Sequence, residues 1–293
     1  MNLRHLREKR SHGTPGFPVG VYEMRQEAGQ PILESHWHEE AEFLFVEDGR
    51  ATFRIGADEC ELAAGDAVYI DGGELHGAFP IEGGGCAYRA VVFDLNWLAA
   101  PEDGFSAAFL QPLARGRISL PFPLSSRTGW GGRVLETLRR IADLDGSPDP
   151  AKEMRVKGLL YLALADIWSS GAWEARSRAD LADAKTIDRL KGAIAHIESH
   201  CSRRLPVGEL AGIAGMSEGH FSRVFKEFMR KTPIEYINHY RLRQAALRLE
   251  EGRLTVGEVA LESGFDNFSY FSKLFRTVYG CSPSAYRRKA RDS

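Results

Sequence analysis

Between residues 21 and 95 apolar side chains come in short runs broken by glycine, among them AEFLFVED, ATFRIG, DAVYID and YRAVVFDL. Short runs at this spacing predict β-strands closed into a sandwich or barrel. Beyond residue 130 the period changes. Val134, Leu138 and Ile141 share one face of a helix over 131–145. A second helix over 151–170 carries Met154, Leu159, Leu160, Leu162, Leu164, Ile167 and Trp168. These occupy more than one face, so burial between partners is expected. Ser169, Ser170 and Gly171 end that helix, the polar stretch 172–184 reads as a linker, and helical patterning continues to the end.

The last third repeats itself. ELAGIAGMSEGHFSRVFK at 209–226 returns as EVALESGFDNFSYFSKLFR at 258–276. Ala211 and Gly215 match Ala260 and Gly264 at an offset of 49, whereas Phe221, Ser222, Arg223, Phe225 and Lys226 match Phe271, Ser272, Lys273, Phe275 and Arg276 at 50. The extra residue falls in the turn. Each copy predicts a helix, a glycine turn and a basic second helix, the helix-turn-helix pattern whose second helix enters a major groove.

A lead-in helix is expected over 186–200. Pro206 suits the first turn of the next helix, which ends at Gly215. Ser217 caps a recognition helix over about 218–230. Thr232-Pro233 opens a long helix, 233–250, stopped by Gly252. Thr255 caps the following helix, and after Gly264, Asn267 caps a second recognition helix over about 268–279. Phe221, Val224, Phe225 and Phe228 read as core, as do Phe271, Leu274, Phe275 and Val278. The opposite faces present Glu218, Gly219, Ser222, Arg223 and Lys226, then Phe268, Ser269, Ser272, Lys273 and Arg276. With Ser217 at the first cap, these form the expected DNA face. Arg223 suits bidentate readout of guanine; Lys226, Arg276 and the serine hydroxyls suit phosphate. The helix 233–250 is about 27 Å long, a spacer on the scale of the roughly 34 Å repeat of B-DNA.

Charge sharpens this picture. The net charge of −2 hides 19 Lys/Arg against 28 Asp/Glu in residues 1–184, and 19 against 12 in 185–293. The excess of cations in the C-terminal part suits a polyanion. With 293 residues, of which 43% are hydrophobic, two domains are expected. No window approaches the roughly 20 apolar residues of a membrane span. The basic start MNLRHLREKRSHG lacks an apolar stretch behind it, so no signal peptide is expected. Four scattered cysteines without a CxxC pair fit a cytoplasmic protein.

The run HFSRVFKEFMRKTPIEYINHYRLRQAALRLEEG, followed by VALESGFDNFSYFSKLFRTVYGCSPSAYRR, closely resembles the AraC/XylS family of bacterial transcription regulators. The resemblance covers roughly 190–288. It includes Glu235-Tyr236-Ile237-Asn238, Tyr240-Arg241-Leu242, Gly264-Phe265 and the closing Gly280, Ser282-Pro283 and Tyr286-Arg287. It implies a seven-helix unit with two helix-turn-helix motifs, 206–230 and 255–279. The family's base-reading positions map onto Gly219, Ser222 and Arg223, and onto Phe268, Ser269, Ser272 and Lys273. Members often carry a larger residue where this chain has Gly219, so contact there is by backbone or absent.

In the N-terminal half, His36-Trp37-His38-Glu39-Glu40-Ala41-Glu42 fits H-x-H-x3-E, with Gly49 beyond it, and Gly65, Asp71, Gly73 and His76 follow at second-motif spacing. Over about 20–95 these resemble the two motifs of the cupin β-barrel, with Asp71 where proline is usual and Pro80 where asparagine is usual. Alternation puts His36 and His38 on one side of a strand with Glu42 in phase. With His76, three imidazoles and a carboxylate converge, a set suited to divalent Zn, Fe, Ni, Mn or Cu. Two readings stay open. The set holds metal, or, as in regulators resembling this one, the imidazoles line an organic-effector pocket and no cofactor is required. Aromatic residues such as Trp37 and Tyr69 suit the wall of a pocket for a sugar or an aromatic effector.

The expectation is a two-domain α+β protein. It has an arm or tail (1–20), a cupin-like effector barrel (21–100), a helical dimerisation segment (101–171), the linker 172–184 and an all-α DNA-binding domain (185–293). It acts as a cytoplasmic regulator, an activator by resemblance. Its partners are promoter DNA, a small-molecule effector, a second copy and, for an activator, RNA polymerase. It is not expected to be an enzyme; the alternative is a metal-dependent cupin enzyme or metal sensor fused to a DNA-binding module, with metal at His36, His38, Glu42 and His76.

Overall fold

The computed structural model describes residue 8 and residues 10–28, 30–81, 84–99, 103–229 and 231–291, with backbone alone over 178–184 and at 291. The chain divides into two compact units, Met1–Ala184 and Lys185–Ser293.

The first unit is built on seven main strands: β1 (Val19–Gln26), β2 (Leu33–His36), β3 (Ala41–Ile55), β4 (Asp58–Ala63), β5 (Asp66–Ile70), β6 (His76–Pro80) and β7 (Cys86–Phe93). β3 organises them. Its first half pairs with β7 and β5, and its second half with β4 and β6. All of these pairings are antiparallel. The runs AEFLFVED and ATFRIG, which read as separate strands, are therefore one 15-residue strand. A register shift between Val46 and Asp48 bends it, and such bulges are how a strand turns a barrel corner. β2 joins through β6, and β1 through β7.

Alternation divides β3 by face. Leu44 and Val46 point inward with Val68, Ile70, Phe53 and Tyr88. Phe43 and Phe45 point outward, with Tyr69, Val91 and Phe93, into a second core shared with helices. After the barrel come α1 (Leu95–Leu98), a π-turn (Ser106–Leu110) running into α2 (Gln111–Ala114), β8 (Ile118–Ser119), β9 (Leu124–Ser125), α3 (Gly129–Asp143) and α4 (Lys152–Ser170). The segment 101–171 is thus not wholly helical: β9 extends the barrel sheet beside β5. Val134, Leu138 and Ile141 are fully buried against the barrel. Within one chain α4 is covered on part of its surface. Met154 is 79% and Leu162 55% exposed, because α4 packs on α3, α1 and the π-turn and this face lies away from them, uncovered among the described residues.

The stretch 172–184 is more ordered than a linker. Glu174–Ala175 form β10, paired with β8, and α5 (Arg178–His200) starts before it ends. Of the segment 1–20, residues 1–7 and 9 lie outside the described residues.

The second unit holds α6 (Val207–Ile213), α7 (Glu218–Met229), α8 (Pro233–Glu251), α9 (Val256–Glu262), α10 (Phe268–Tyr279) and α11 (Pro283–Arg291). Pro206 is the cap of α6 rather than its first residue. Thr232 and Thr255 close capping boxes with Glu235 and Glu258, and Gly252 ends α8 in the left-handed region. Residue 230, expected at the end of α7, is outside the described residues.

Candidate functional site

His36 closes β2 and lies opposite His76, which opens β6. Their ring centroids are 4.2 Å apart. His38 follows β2 in the loop to β3, and Glu42 projects from the inner face of β3. All four are at most 4% exposed. One potential ligand atom from each lies within 4.8 Å of the others.

The same device orients each imidazole. Nδ1 of His36, His38 and His76 sits 2.9, 3.0 and 2.8 Å from the backbone oxygens of Glu34, Glu40 and Glu74. A carbonyl only accepts, so each Nδ1 carries the proton and donates it. Each Nε2 then faces the centre. His38 Nε2 is 3.0 Å and His76 Nε2 3.3 Å from the same oxygen, Glu42 Oε2. His76 Nε2 is buried without a hydrogen-bond partner. Burial and the neighbouring His76 push His36 down to about 3, so it is neutral. Burial also pulls on His38, but its hydrogen bond to Glu42 and the surrounding carboxylates win and raise its pKa. Burial would favour protonated Glu42; its hydrogen bond with His38 and the neighbouring imidazoles outweigh it and hold the carboxyl well below its ordinary range.

One proton on His38 therefore satisfies Glu42 and leaves His76 unpaired. A divalent cation satisfies all four at once. Metal–ligand bonds of about 2.1 Å put opposed donors about 4 Å apart, within the observed spread. Three nitrogens and one oxygen suit Zn, Fe, Mn, Ni or Cu. The backbone carbonyls behind each ring supply the outer hydrogen bonds that such ligands need. The residues present fit a divalent cation.

A cavity opens beside the cluster, walled by Tyr22, Met24, Leu33, Tyr88, Ala90 and Val92. The two aromatic residues expected in the wall are elsewhere. Tyr69 points outward, its ring centroid 5.1 Å from that of Phe43. Trp37 falls between His36 and His38 in the alternation and does not line the cavity. Sequence reasoning missed Tyr22 and Tyr88, which the period-two pattern of β1 and β7 places inside. It also missed Glu8 and His12, buried at the mouth, because a polar Pro/Gly-rich stretch gives no periodic signal.

The loop carrying His76 is clamped from outside. Arg176, next to β10, pairs with Asp71 and lies 3.5 Å from Glu74 Oε2, and the Glu74 carbonyl holds His76. Burial, with Glu74 nearby, raises Asp71 to about 7 despite Arg176.

In the second unit Ser217, Gly219, Arg223 and Lys226 are exposed and Ser222 is half-buried. Phe268, Ser269, Lys273 and Arg276 are exposed and Ser272 is half-buried. Each recognition helix thus turns its expected set outward. The first buries Phe221, Val224, Phe225 and Phe228 as expected. The second buries Phe271 and Phe275 but leaves Leu274 half-buried and Val278 38% exposed. Val278 lies in the last turn, two residues before the Gly280 that ends the helix.

Comparison with known proteins places both halves. A family model for a helix-turn-helix domain matches residues 210–289, and one for a cupin domain matches 22–84. The chain is 25% identical to the uncharacterized HTH-type transcriptional regulator YdeC of Bacillus subtilis over 97% of each chain. It is 35% identical to the MmsAB operon regulatory protein of Pseudomonas aeruginosa over 35% of this chain, and spans only 33% of that protein. It is 35% identical to the HTH-type transcriptional activator AarP of Providencia stuartii over 31% of this chain and 67% of AarP.

Proposed function

The chain belongs to the AraC-type helix-turn-helix transcriptional regulators, and from that premise we propose that its barrel binds a small-molecule effector at the His36–His38–Glu42–His76 cluster. The observation that carries this reading is the convergence of four buried donor atoms beside a cavity. The same convergence favours a divalent cation held by those four residues. Bound there, the cation supplies a Lewis-acidic anchor for an effector oxygen or nitrogen. Tyr22 and Tyr88 then give a wall for an apolar, sugar-like or aromatic body.

DNA recognition rests on Ser217, Gly219, Ser222, Arg223 and Lys226 in the first motif, and on Phe268, Ser269, Ser272, Lys273 and Arg276 in the second. The effector acts by binding two states of the protein unequally. Clamping of the His76 loop by Arg176 gives it a route to the start of α5. We assign dimerisation to α4 alone, since the apolar face of α3 is buried between α4 and the barrel. Met154, Gly158, Leu162 and Ala165 form an exposed stripe at helical spacing. AarP is named a transcriptional activator, and on that likeness we assign activation to this chain, in the cytoplasm and with RNA polymerase as its partner. The enzyme reading has no support beyond the metal ligands themselves.

Elemental mass spectrometry of the purified full-length protein, beside His38→Ala, tests the cluster. Near-stoichiometric metal in the wild type, lost in the variant, is expected. Metal unaffected by the substitution would remove the four residues as its ligands.

A further inference from the structure

Glu8 stands far from the barrel motifs in sequence, yet its carboxylate lies in the barrel mouth with 4% of the side chain exposed. Its Oε2 is 3.5 Å from His36 Nε2 and 3.9 Å from His12 Nε2. Among the described residues this oxygen has no hydrogen-bond partner. Nothing in the folding of the barrel requires a carboxylate there.

Among its described residues, the segment that delivers it forms neither strand nor helix. The Glu8 amide donates to the Trp37 carbonyl at 2.8 Å. The Arg10 guanidinium lies 4.4 Å from the centre of the Tyr22 ring. His12 Nδ1 is 2.9 Å from Tyr22 Oη. The His12 ring also lies 5.1 Å from that of His38; all of these contacts are polar or aromatic, and no aliphatic side chain from the described part of this segment enters the core.

We infer that Glu8 with residues 10–14 is a removable stopper and that the effector is a small carboxylate, whose carboxyl group takes the place of Glu8 beside His36 while its apolar body lies against Tyr22, Met24 and Val92. The inference rests on the reading of the barrel as an effector site and names the effector's class. Its charge logic is simple. A divalent cation held by three neutral imidazoles and one carboxylate leaves one positive charge, and a second carboxylate neutralises it. Glu8 is placed to be that second carboxylate when the pocket holds nothing else. An acid from solution competes with it, and the displaced segment reports the exchange. A neutral sugar or amide gains no such exchange.

The test uses full-length protein loaded with zinc and two probes of one shape, benzoate and benzamide, followed by calorimetry. Hydrogen exchange over residues 8–14 is read in parallel. Removing a seated competitor removes the tax it places on apparent affinity, so Glu8→Ala is expected to bind benzoate about tenfold more tightly than wild type. Benzamide is expected to gain nothing. Glu8→Gln, which keeps the shape, is expected to gain in the same direction. In wild type, benzoate and not benzamide should speed exchange at the Glu8 amide. Equal gains for both probes, no gain for benzoate in either variant, or an arm still protected at saturating benzoate would each overturn the inference. DNA binding separates the two levels. Arm release without any change in affinity for a selected DNA would sink the effector reading and leave the stopper standing.

Discussion

The two helix-turn-helix motifs share a sequence and differ in what their ends touch. Their buried aromatic positions coincide: Phe221 and Phe271, and Phe225 and Phe275, are all fully buried. The polar ends do not. Glu209 and Glu258 are equivalent residues, 49 apart. Glu258 closes a capping box, accepting from the Thr255 amide at 2.7 Å. In the first motif the cap is Pro206, which has no amide hydrogen to donate. Glu209 turns instead to His196 at 2.6 Å and Arg203 at 2.9 Å, and those hydrogen bonds hold its pKa down to about 2. The recognition helices begin differently too. The Glu218 carboxylate folds back over Gly208, whereas the equivalent Phe268 is 51% exposed. A duplicated unit keeps the positions that bury area and rewires the polar ones to suit its neighbours.

The turn glycines give the largest test of that statement. Gly215 and Gly264 are equivalent, and both lie in the left-handed region, at φ 62 and 89. A Cβ on Gly215 would meet open space. On Gly264 it would strike the Cys201 carbonyl and lie 2.8 Å from Arg241 Nε, which itself donates to that carbonyl at 2.7 Å. Gly215→Ala should therefore cost about 1–2 kcal/mol, the left-handed penalty alone. Gly264→Ala should cost about 1–3 kcal/mol more, for overpacking against backbone. Denaturant unfolding of the two variants measures the difference; equal losses would mean that the two turns have the same surroundings.

The α-helical half was legible because its core follows a single 3.6-residue period and its ends carry capping residues. Even there Val278 misled, since periodicity does not say where packing stops at a helix end. The barrel cluster was legible in part. His36, His38, Glu42 and His76 stand in a spaced motif, and the fold brings them together. Tyr69 shows the limit. Its face is set by pairing with Phe43 across β3 and β5, a register the sequence does not print. Glu8 and Arg176 were invisible, because each reaches the site from a segment whose path is fixed only by tertiary contacts.

DNA readout sharpens the comparison at the next scale. Arg223 and Lys273 are equivalent and both exposed. A guanidinium can read guanine through two hydrogen bonds; an ammonium acts as a point charge. On a DNA sequence selected with the wild-type protein, Arg223→Ala should lose about 1–3 kcal/mol and relax preference at one base pair. Lys273→Ala should weaken binding to all sequences alike and lower the salt slope by about 1. Binding isotherms over a salt series distinguish the two. A uniform loss for Arg223→Ala would move it to the phosphate contacts.

The smallest effect probes the rewired cap. Pro206→Thr restores in α6 the residue type that caps α9, and the backbone at Pro206 is already extended as a cap requires, at φ −65 and ψ 143. An added cap is worth about 0.5–1 kcal/mol in the usual range. Here Glu209 is already engaged, so a full capping box would have to draw it away from Arg203 and His196. Those pairs are partly exposed, and solvent-screened pairs of this kind contribute little each. The expected gain from Pro206→Thr alone is therefore near the bottom of the capping range. In an Arg203→Ala background Glu209 has less to give up, and the gain should rise. Thermal unfolding of the four proteins in this cycle reads the coupling directly. A gain that is the same in both backgrounds would show that Glu209 does not choose between the two partners, and that the motifs differ at this end only by the proline.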